Sequence, residues 1–161
     1  MTKTIIGIMG PGTGASQRDL EHAYTLGQLI AQNGWILLTG GRNAGVMAAA
    51  SQGAKSAQGL TIGILPTADK TGISNAVDIA ILTDLGNARN NINVLSSDVV
   101  IACGMGLGTA SEVALALKNQ KSVILLTDNR QAYPFFAQFS PNLVYPVDSP
   151  EAAISQVKQC L

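Results

Sequence analysis

The chain has 161 residues, of which 47% are hydrophobic and 12% charged, and its formal net charge is zero. This length fits one domain, residues 1–161, with a full hydrophobic core. The neutral balance argues against nucleic-acid binding, which needs an excess of lysine and arginine. No apolar run approaches the roughly 20 residues that cross a bilayer. Two cysteines and one histidine suggest neither disulfides nor a protein-built metal site, so we expect a cytoplasmic protein.

Seven short apolar runs are predicted as β-strands, and most do not alternate with polar residues, as expected for parallel strands buried on both faces. In chain order they are TIIGIM from Thr4, WILLT from Trp35, LTIGIL from Leu60, DIAIL from Asp78, DVVIA from Asp98, SVILL from Ser122 and LVYPV from Leu143. Helices are predicted between them at Ser16–Asn33, Ala44–Gln58, Ala88–Ser96, Thr109–Asn119 and Pro150–Cys160. This alternation predicts a single-domain α/β fold with a doubly wound, mainly parallel, Rossmann-like sheet flanked by helices.

Three glycine-rich turns follow predicted strands: GPGTGA after the first, GGRNAG after the second and GMGLGT after the strand that ends at Ala102. Open parallel sheets bind ligands outside the carboxyl ends of their strands. We therefore expect these turns to meet at one ligand-binding edge. The longest irregular region, PTADKTGISNAV after Leu65, is interpreted as a lid or an interface loop.

The third turn is the strongest candidate for an anion site. Glycines at 104, 106 and 108 let the backbone approach a ligand closely. Thr109 is predicted to open a helix whose first amides have no internal partner, and such amides bind phosphate. The alternative is a capping box, in which Thr109 is the N-cap and Glu112 reaches back to it.

The first turn matches the dinucleotide pattern G-x-G-x-x-A at Gly10, Gly12 and Ala15. The second strand, however, leads into Gly40, Gly41 and an arginine, where that pattern expects an acidic residue for the ribose. An arginine there would suit the extra phosphate of NADP. The alternative for the first turn is an ordinary tight connection between strand and helix.

Arg42 and Arg89 lie in or beside these turns, and a guanidinium can hold a phosphate with two hydrogen bonds. Surface ion pairs are the alternative for both. Asn90 and Asn91 add amide donors and acceptors, unless they only face water.

Other reactive or aromatic side chains are interpreted as structural. Cys103 is predicted to be a small buried residue at a strand end, and His22 a surface residue away from the turns. The three phenylalanines of the chain are assigned to the core or to a subunit contact: Phe135, Phe136 and Phe139.

The segments TGGRNAGVM and ARNNINVLSSDVVIACGMGLGTASEVALALK resemble the lysine decarboxylase-like superfamily. That superfamily includes cytokinin riboside monophosphate phosphoribohydrolases, whose signature is P-G-G-x-G-T-x-x-E with an upstream Arg-Lys pair. Here Gly104 and Met105 replace the opening proline and glycine, and Asn90 replaces the lysine. In a hydrolase of this type the resemblance would make Arg89 and Glu112 catalytic.

The chain resembles another branch of that superfamily more fully, the molybdenum cofactor carrier proteins. The resemblance includes IIGIMGPG, NGWILLTGGR, GVM, TIGILP, AVDIAI, ARNNIN, LSS and GMGLGTASEVALALK, and so covers nearly the whole chain. It implies a homo-oligomer, a tetramer or a dimer, that protects the cofactor and delivers it to enzymes such as nitrate reductase.

For such a carrier we predict no catalytic residue and no protein metal ligand, since the dithiolene of the pterin holds the molybdenum. The predicted cofactor-binding residues are Gly10, Pro11, Gly12, Gly40, Gly41, Arg42, Val46, Met47, Arg89, Asn90, Asn91, Gly104, Met105, Gly106, Leu107, Gly108, Thr109 and Glu112.

Overall fold

A computed structural model describes residues 2–161; Met1, with which the predicted domain begins, lies outside the described residues. All seven predicted strands form, and they join one parallel sheet. They are β1 (Ile5–Met9), β2 (Ile36–Thr39), β3 (Thr61–Leu65), β4 (Ile79–Leu82), β5 (Val99–Cys103), β6 (Val123–Leu126) and β7 (Val144–Val147).

The strand order is β4-β3-β2-β1-β5-β6-β7. The chain starts in the middle of the sheet, runs outward to β4, and returns to pair β5 with the other side of β1, where Met9 is in register with Ala102. The predicted doubly wound α/β fold is confirmed. In such sheets a crevice opens where the winding direction changes, which here lies beyond the carboxyl ends of β1 and β5.

Six α-helices cover the two faces of the sheet. They are α1 (Gln17–Gln32), α2 (Gly45–Ser56), α3 (Arg89–Leu95), α4 (Leu107–Lys118), α5 (Ala132–Ala137) and α6 (Pro150–Cys160). The five predicted helices are all present. The sixth, α5, was not predicted because its six residues, AYPFFA, are too short to show a helical period.

The apolar core lies in two layers, one on each face of the sheet. Neighbouring strand residues alternate between them: Ile101 packs in the layer with α1, α2 and α6, and Val100 in the layer with α3, α4 and α5. This alternation explains the continuous apolar runs, because both faces of each inner strand are covered.

Three predictions about individual side chains have distinct outcomes. Cys103 is buried, as predicted. Phe136 belongs to the core, whereas Phe135 and Phe139 are 55% and 71% exposed and pack edge to face against each other. His22 is partly buried on α1 and lines a cleft separate from the glycine turns.

The irregular region after β3 is bound to the second glycine turn. The amide of Ser74 donates to the Gly41 carbonyl at 2.9 Å, and the amide of Asn43 donates to the Gly72 carbonyl at 2.8 Å.

Across residues 2–161, none of the helices has the length and apolar character needed to span a membrane.

Candidate functional site

The three glycine-rich turns meet around one cavity of about 260 Å³ at the carboxyl ends of the strands. The predicted convergence is therefore confirmed. The predicted site residues that line the cavity are Gly10, Pro11, Gly12, Gly40, Arg42, Met47, Arg89, Asn90, Gly106, Leu107, Gly108, Thr109 and Glu112.

The other five predicted site residues are not part of the cavity lining. Val46 is buried in the core layer that includes α1, α2 and α6, and Met105 packs against the core layer on the opposite face of the sheet. Asn91 accepts a hydrogen bond from Asn119 at 3.2 Å. Gly41 and Gly104 have φ values of +73° and +75°, so they serve the turns of their own loops. The contact of these five residues with the cofactor stays a prediction.

Sequence reasoning missed several residues of the lining. Thr13 and Ala44 lie inside the predicted glycine turns, so the turn patterns could have included them. Asn87 lies in a short 3-10 turn that carries no motif. The lining residues missed are Ile8, Met9, Thr13, Ala44 and Asn87.

The amino end of α4 points its free backbone amides at the cavity. Gly106, in extended conformation, is the N-cap, and its carbonyl accepts from the amide of Ala110 at 2.8 Å. Within residues 2–161 no acceptor is found for the amides of Leu107, Gly108 and Thr109. Unpaired amides and the helix dipole together favour a bound anion.

The predicted capping box at Thr109 and Glu112 is wrong. The helix begins at Leu107, two residues earlier than predicted, so Thr109 already lies within the first turn and cannot be its N-cap. Glu112 lies in the second turn, too far along to reach back. A capping box does form in α1, between Ser16 and Asp19.

Thr109 has an unused hydroxyl group at this helix end. The residue is 2% exposed and lines the cavity, and its Oγ1 is buried without a hydrogen-bond partner. A buried hydroxyl without a partner is unfavourable and uncommon in folded proteins. The hydroxyl is therefore available to donate to a bound group.

The glycines around the cavity serve two different needs. A Cβ at Gly10 would overlap the Cys103 carbonyl and the side chain of Val46, so the fold itself excludes a larger residue there. A Cβ at Gly40 would displace the guanidinium of Arg89. At Gly108, by contrast, a Cβ would meet no atom within 4 Å, and φ is not positive. Gly108 lines the cavity, so the lack of a side chain there leaves its backbone open to a ligand.

Arg89 connects the ends of two strands. Its Nη1 donates to the Gly40 carbonyl at 2.7 Å and to the Ile64 carbonyl, while its buried Nε has no partner. Burial lowers the pKa of Arg89, the charge of Glu112 raises it, and the charge of Arg42 lowers it. Arg89 thus fixes the second glycine turn and adds a positive charge beside the cavity.

Glu112 is a buried carboxyl without an ion-pair partner. It is 7% exposed, and its Oε1 accepts from Asn93 Nδ2 at 2.9 Å. Burial raises its pKa to about 7, against the opposing effects of the Asn93 hydrogen bond and the charge of Arg89. The ion pairs found in residues 2–161 lie elsewhere, at Arg18–Asp128 and Lys55–Asp78. Asn93 was missed because no motif marks it.

The balance of charge in the lining is positive. Arg42 is exposed at the cavity, and Asn90, which occupies the position of the signature lysine, donates from Nδ2 to Ser111 Oγ at 3.0 Å. Two arginines face one carboxyl group, and no histidine, cysteine or aspartate from residues 2–161 lines the cavity. The arrangement suits an anionic ligand held by amides, hydroxyl groups and guanidinium groups.

Residues 3–154 match the model of the SLOG cluster4 family. The chain belongs to the SLOG cluster4 family. Its fold resembles the molybdenum cofactor binding protein of the phototrophic bacterium Rippkaea orientalis, with 66% identity, a TM-score of 0.97, and coverage of 99% of this chain and 98% of that one. It also resembles the molybdenum cofactor carrier protein of Chlamydomonas reinhardtii, with 54% identity, a TM-score of 0.93 and coverage of 98% of both chains. The predicted resemblance is confirmed.

Two curated proteins are also similar to this SLOG cluster4 chain. An uncharacterised protein of Archaeoglobus fulgidus is 46% identical over 121 residues, which are 75% of this chain and 78% of that protein. A cytokinin riboside 5′-monophosphate phosphoribohydrolase of Mycobacterium tuberculosis is 32% identical over 96 residues, which are 58% of this chain and 51% of the enzyme.

Proposed function

We propose that the protein is a carrier that binds the molybdenum cofactor, protects it and delivers it to molybdenum enzymes such as nitrate reductase. The cargo is a pterin with a terminal phosphate and a dithiolene that holds molybdenum. The cavity at the amino end of α4 is the observation that carries the proposal, and the similarity to cofactor-binding proteins over 98–99% of the chain supports it.

In this proposal the amides of Leu107, Gly108 and Thr109 anchor the phosphate. Three features support the anchor. These amides have no protein partner, the buried Thr109 Oγ1 has none either, and Gly108 leaves room beside them. Arg42 and Arg89 supply positive charge, and the remaining lining residues shelter the pterin. The carrier performs no bond-making step of its own.

The anchor can be tested with a charged substitution at the position the fold leaves open. Gly108→Asp places a carboxylate in the phosphate position and should lower the fluorescent oxidised pterin recovered with the purified or reconstituted protein by tenfold or more. Ala114→Asp adds the same charge at an exposed position of α4 outside the cavity, and should behave as wild type. Equal pterin in all three proteins, or none in wild type, would contradict the proposal.

The carrier is proposed to be a cytoplasmic, single-domain homo-oligomer, which the resemblance implies is a tetramer or a dimer. The edge strand β4 supports self-association, because Ile79, Ile81 and Leu82 are each more than 40% exposed. Exposed apolar strand edges are normally covered or charged. The strand β4 contains neither a charged residue nor a proline.

Phosphoribohydrolase activity is the second candidate function. Glu112 and Arg89 share one cavity, as an enzyme of that kind would need, and the Mycobacterium tuberculosis hydrolase is a relative. This activity would release free base from adenosine or cytokinin riboside monophosphate and would be abolished in Glu112→Gln. Absence of release at high protein concentration would exclude the hydrolase and leave the carrier.

A further inference from the structure

The cavity holds one carboxyl group close to the proposed anion anchor. Glu112 follows Thr109 by three residues on α4, and residues at this spacing are neighbours on a helix surface, about 5–6 Å apart at Cβ. Both residues line the same cavity. A charged Glu112 would therefore repel an oxyanion on the anchor, whereas a protonated one would be neutral and could donate a hydrogen bond.

The protein compensates the burial of this carboxyl group only in part, through one hydrogen bond and the charge of Arg89. Its one protein hydrogen bond comes from a neutral amide, Asn93 Nδ2. The guanidinium of Arg89 directs its Nη1 to two backbone carbonyls, and the ion pairs found in residues 2–161 do not include Glu112. A buried carboxylate without an ion-pair partner is unfavourable, so a small change in nearby charge is enough to change the protonation state of Glu112.

Few other groups can titrate into this cavity. Arg89 from α3 and Arg42 from the loop after β2 face it, and a guanidinium group is not a proton-exchanging group at neutral pH in proteins. Neither β1, the loop after it, nor the first turn of α4 adds a titratable side chain to the lining described within residues 2–161. Glu112 is thus the lining residue that can exchange a proton near neutral pH.

We propose that Glu112 couples anion binding to proton binding: its carboxyl takes up one proton from solvent when an oxyanion occupies the Leu107–Thr109 amides, and releases it when the oxyanion leaves. This inference rests on the phosphate anchor of the proposed function. Because linkage is reciprocal, protonation strengthens anion binding by the same factor by which the anion strengthens protonation. Loss of the proton at higher pH then favours release of the cargo.

Sulfate is the probe for this coupling, because its charge does not change over the pH range tested, unlike that of a phosphate monoester. Calorimetric titrations at about pH 6, 7 and 8 give the affinity, and buffers with different ionisation enthalpies give the protons taken up. Wild-type affinity should fall by up to about tenfold per pH unit above neutrality. Proton uptake should approach one per chain at the highest pH.

Three variants identify the group responsible. Glu112→Gln should bind sulfate with a pH-independent affinity and take up no proton. Glu151→Gln makes the same change at an exposed position on α6, and His22→Gln removes the histidine that lines a separate cleft; both should keep the wild-type profile.

The outcomes separate this inference from the proposed function. Sulfate binding by wild type without proton uptake, or an unchanged pH profile in Glu112→Gln, overturns the coupling and leaves the anchor standing. Absence of sulfate binding in wild type and in Glu112→Gln at every pH overturns the anchor and the coupling with it. Proton uptake by wild type that disappears in Glu112→Gln establishes the coupling.

Discussion

Thr109 places an unsatisfied polar group in the lining of the cavity. Its hydroxyl is buried and unpartnered at the helix end where three backbone amides are also free. Leaving polar groups unsatisfied costs stability, and functional sites are where proteins keep such groups. The sequence selected Thr109 as the residue that opens a phosphate-binding helix, with a capping box as the alternative; the helix starts two residues earlier and the capping box is wrong, but Thr109 does line the cavity.

Replacing Thr109 by valine keeps the shape and removes the hydroxyl. We expect Thr109→Val to raise the free energy of unfolding of the ligand-free protein by about 1 kcal/mol, because an unsatisfied buried group is lost. The same change should weaken sulfate binding by about five- to tenfold, since one donor is missing. Urea unfolding and titration measure the two effects. A less stable variant with unchanged binding would show that Oγ1 does not face the anion.

Glu112 makes stability depend on pH. Burial raises its pKa from the ordinary 4.5 to about 7 in the folded protein, so the folded state holds the proton more tightly than the unfolded chain. The contribution of Glu112 to the free energy of unfolding is therefore fully present below about pH 4.5. It is lost as pH rises toward about 7, which lowers the free energy of unfolding by about 3 kcal/mol. Glu112→Gln should lack this loss when urea unfolding is compared at about pH 4.5 and pH 8. If the free energy of unfolding changed with pH in the same way in wild type and in Glu112→Gln, Glu112 would not be the group responsible for the pH dependence.

At the scale of helices and strands, burial on both faces made the prediction from sequence reliable. Every strand was marked by an apolar run and every long helix by its period, whereas α5 had too few residues to show one. The start of α4 was misplaced because glycines 106 and 108 do not distinguish a loop from a first helical turn. The links from Arg89 to Gly40 and Ile64 were not predictable, because they join residues 49 and 25 positions apart through backbone carbonyls.

The capping box observed in α1 gives a prediction at this scale. Ser16 accepts from the amide of Asp19, and the Asp19 carboxylate accepts from the amide of Ser16. Ser16→Ala should lower the free energy of unfolding by about 1 kcal/mol. Ser155→Ala, inside α6, is the matched control and should change stability by less than half as much. Equal effects in urea unfolding would show that the box contributes nothing specific.

At the scale of the whole molecule, the strand order creates the site. Placing β1 between β2 and β5 brings together turns that are about 30 and 60 residues apart in the sequence, and all three contribute to one cavity. The glycine turns made this convergence predictable. The individual contacts at the cavity were not predictable, because no motif marks Asn87, which lines the cavity, or Asn93, which donates a hydrogen bond to Glu112.

The apolar edge strand β4 gives a prediction for assembly. Ile81 is 42% exposed in an edge strand that pairs only with β3 among the described residues, and we expect it to be covered by another copy of the chain. Ile81→Lys should lower the molar mass measured by light scattering toward the 16.6 kDa of one chain. Leu161→Lys, at an exposed apolar position near the chain end, should keep the wild-type mass. A wild-type protein of 16.6 kDa would contradict this role of β4.

Equilibrium titration of the purified protein with the molybdenum cofactor tests the central claim most directly. The account predicts saturable binding of one cofactor per chain, displaced by excess sulfate or phosphate and weakened at least tenfold in Gly108→Asp. Binding that fails to saturate, or that ignores both the competing anion and the substitution, would contradict it.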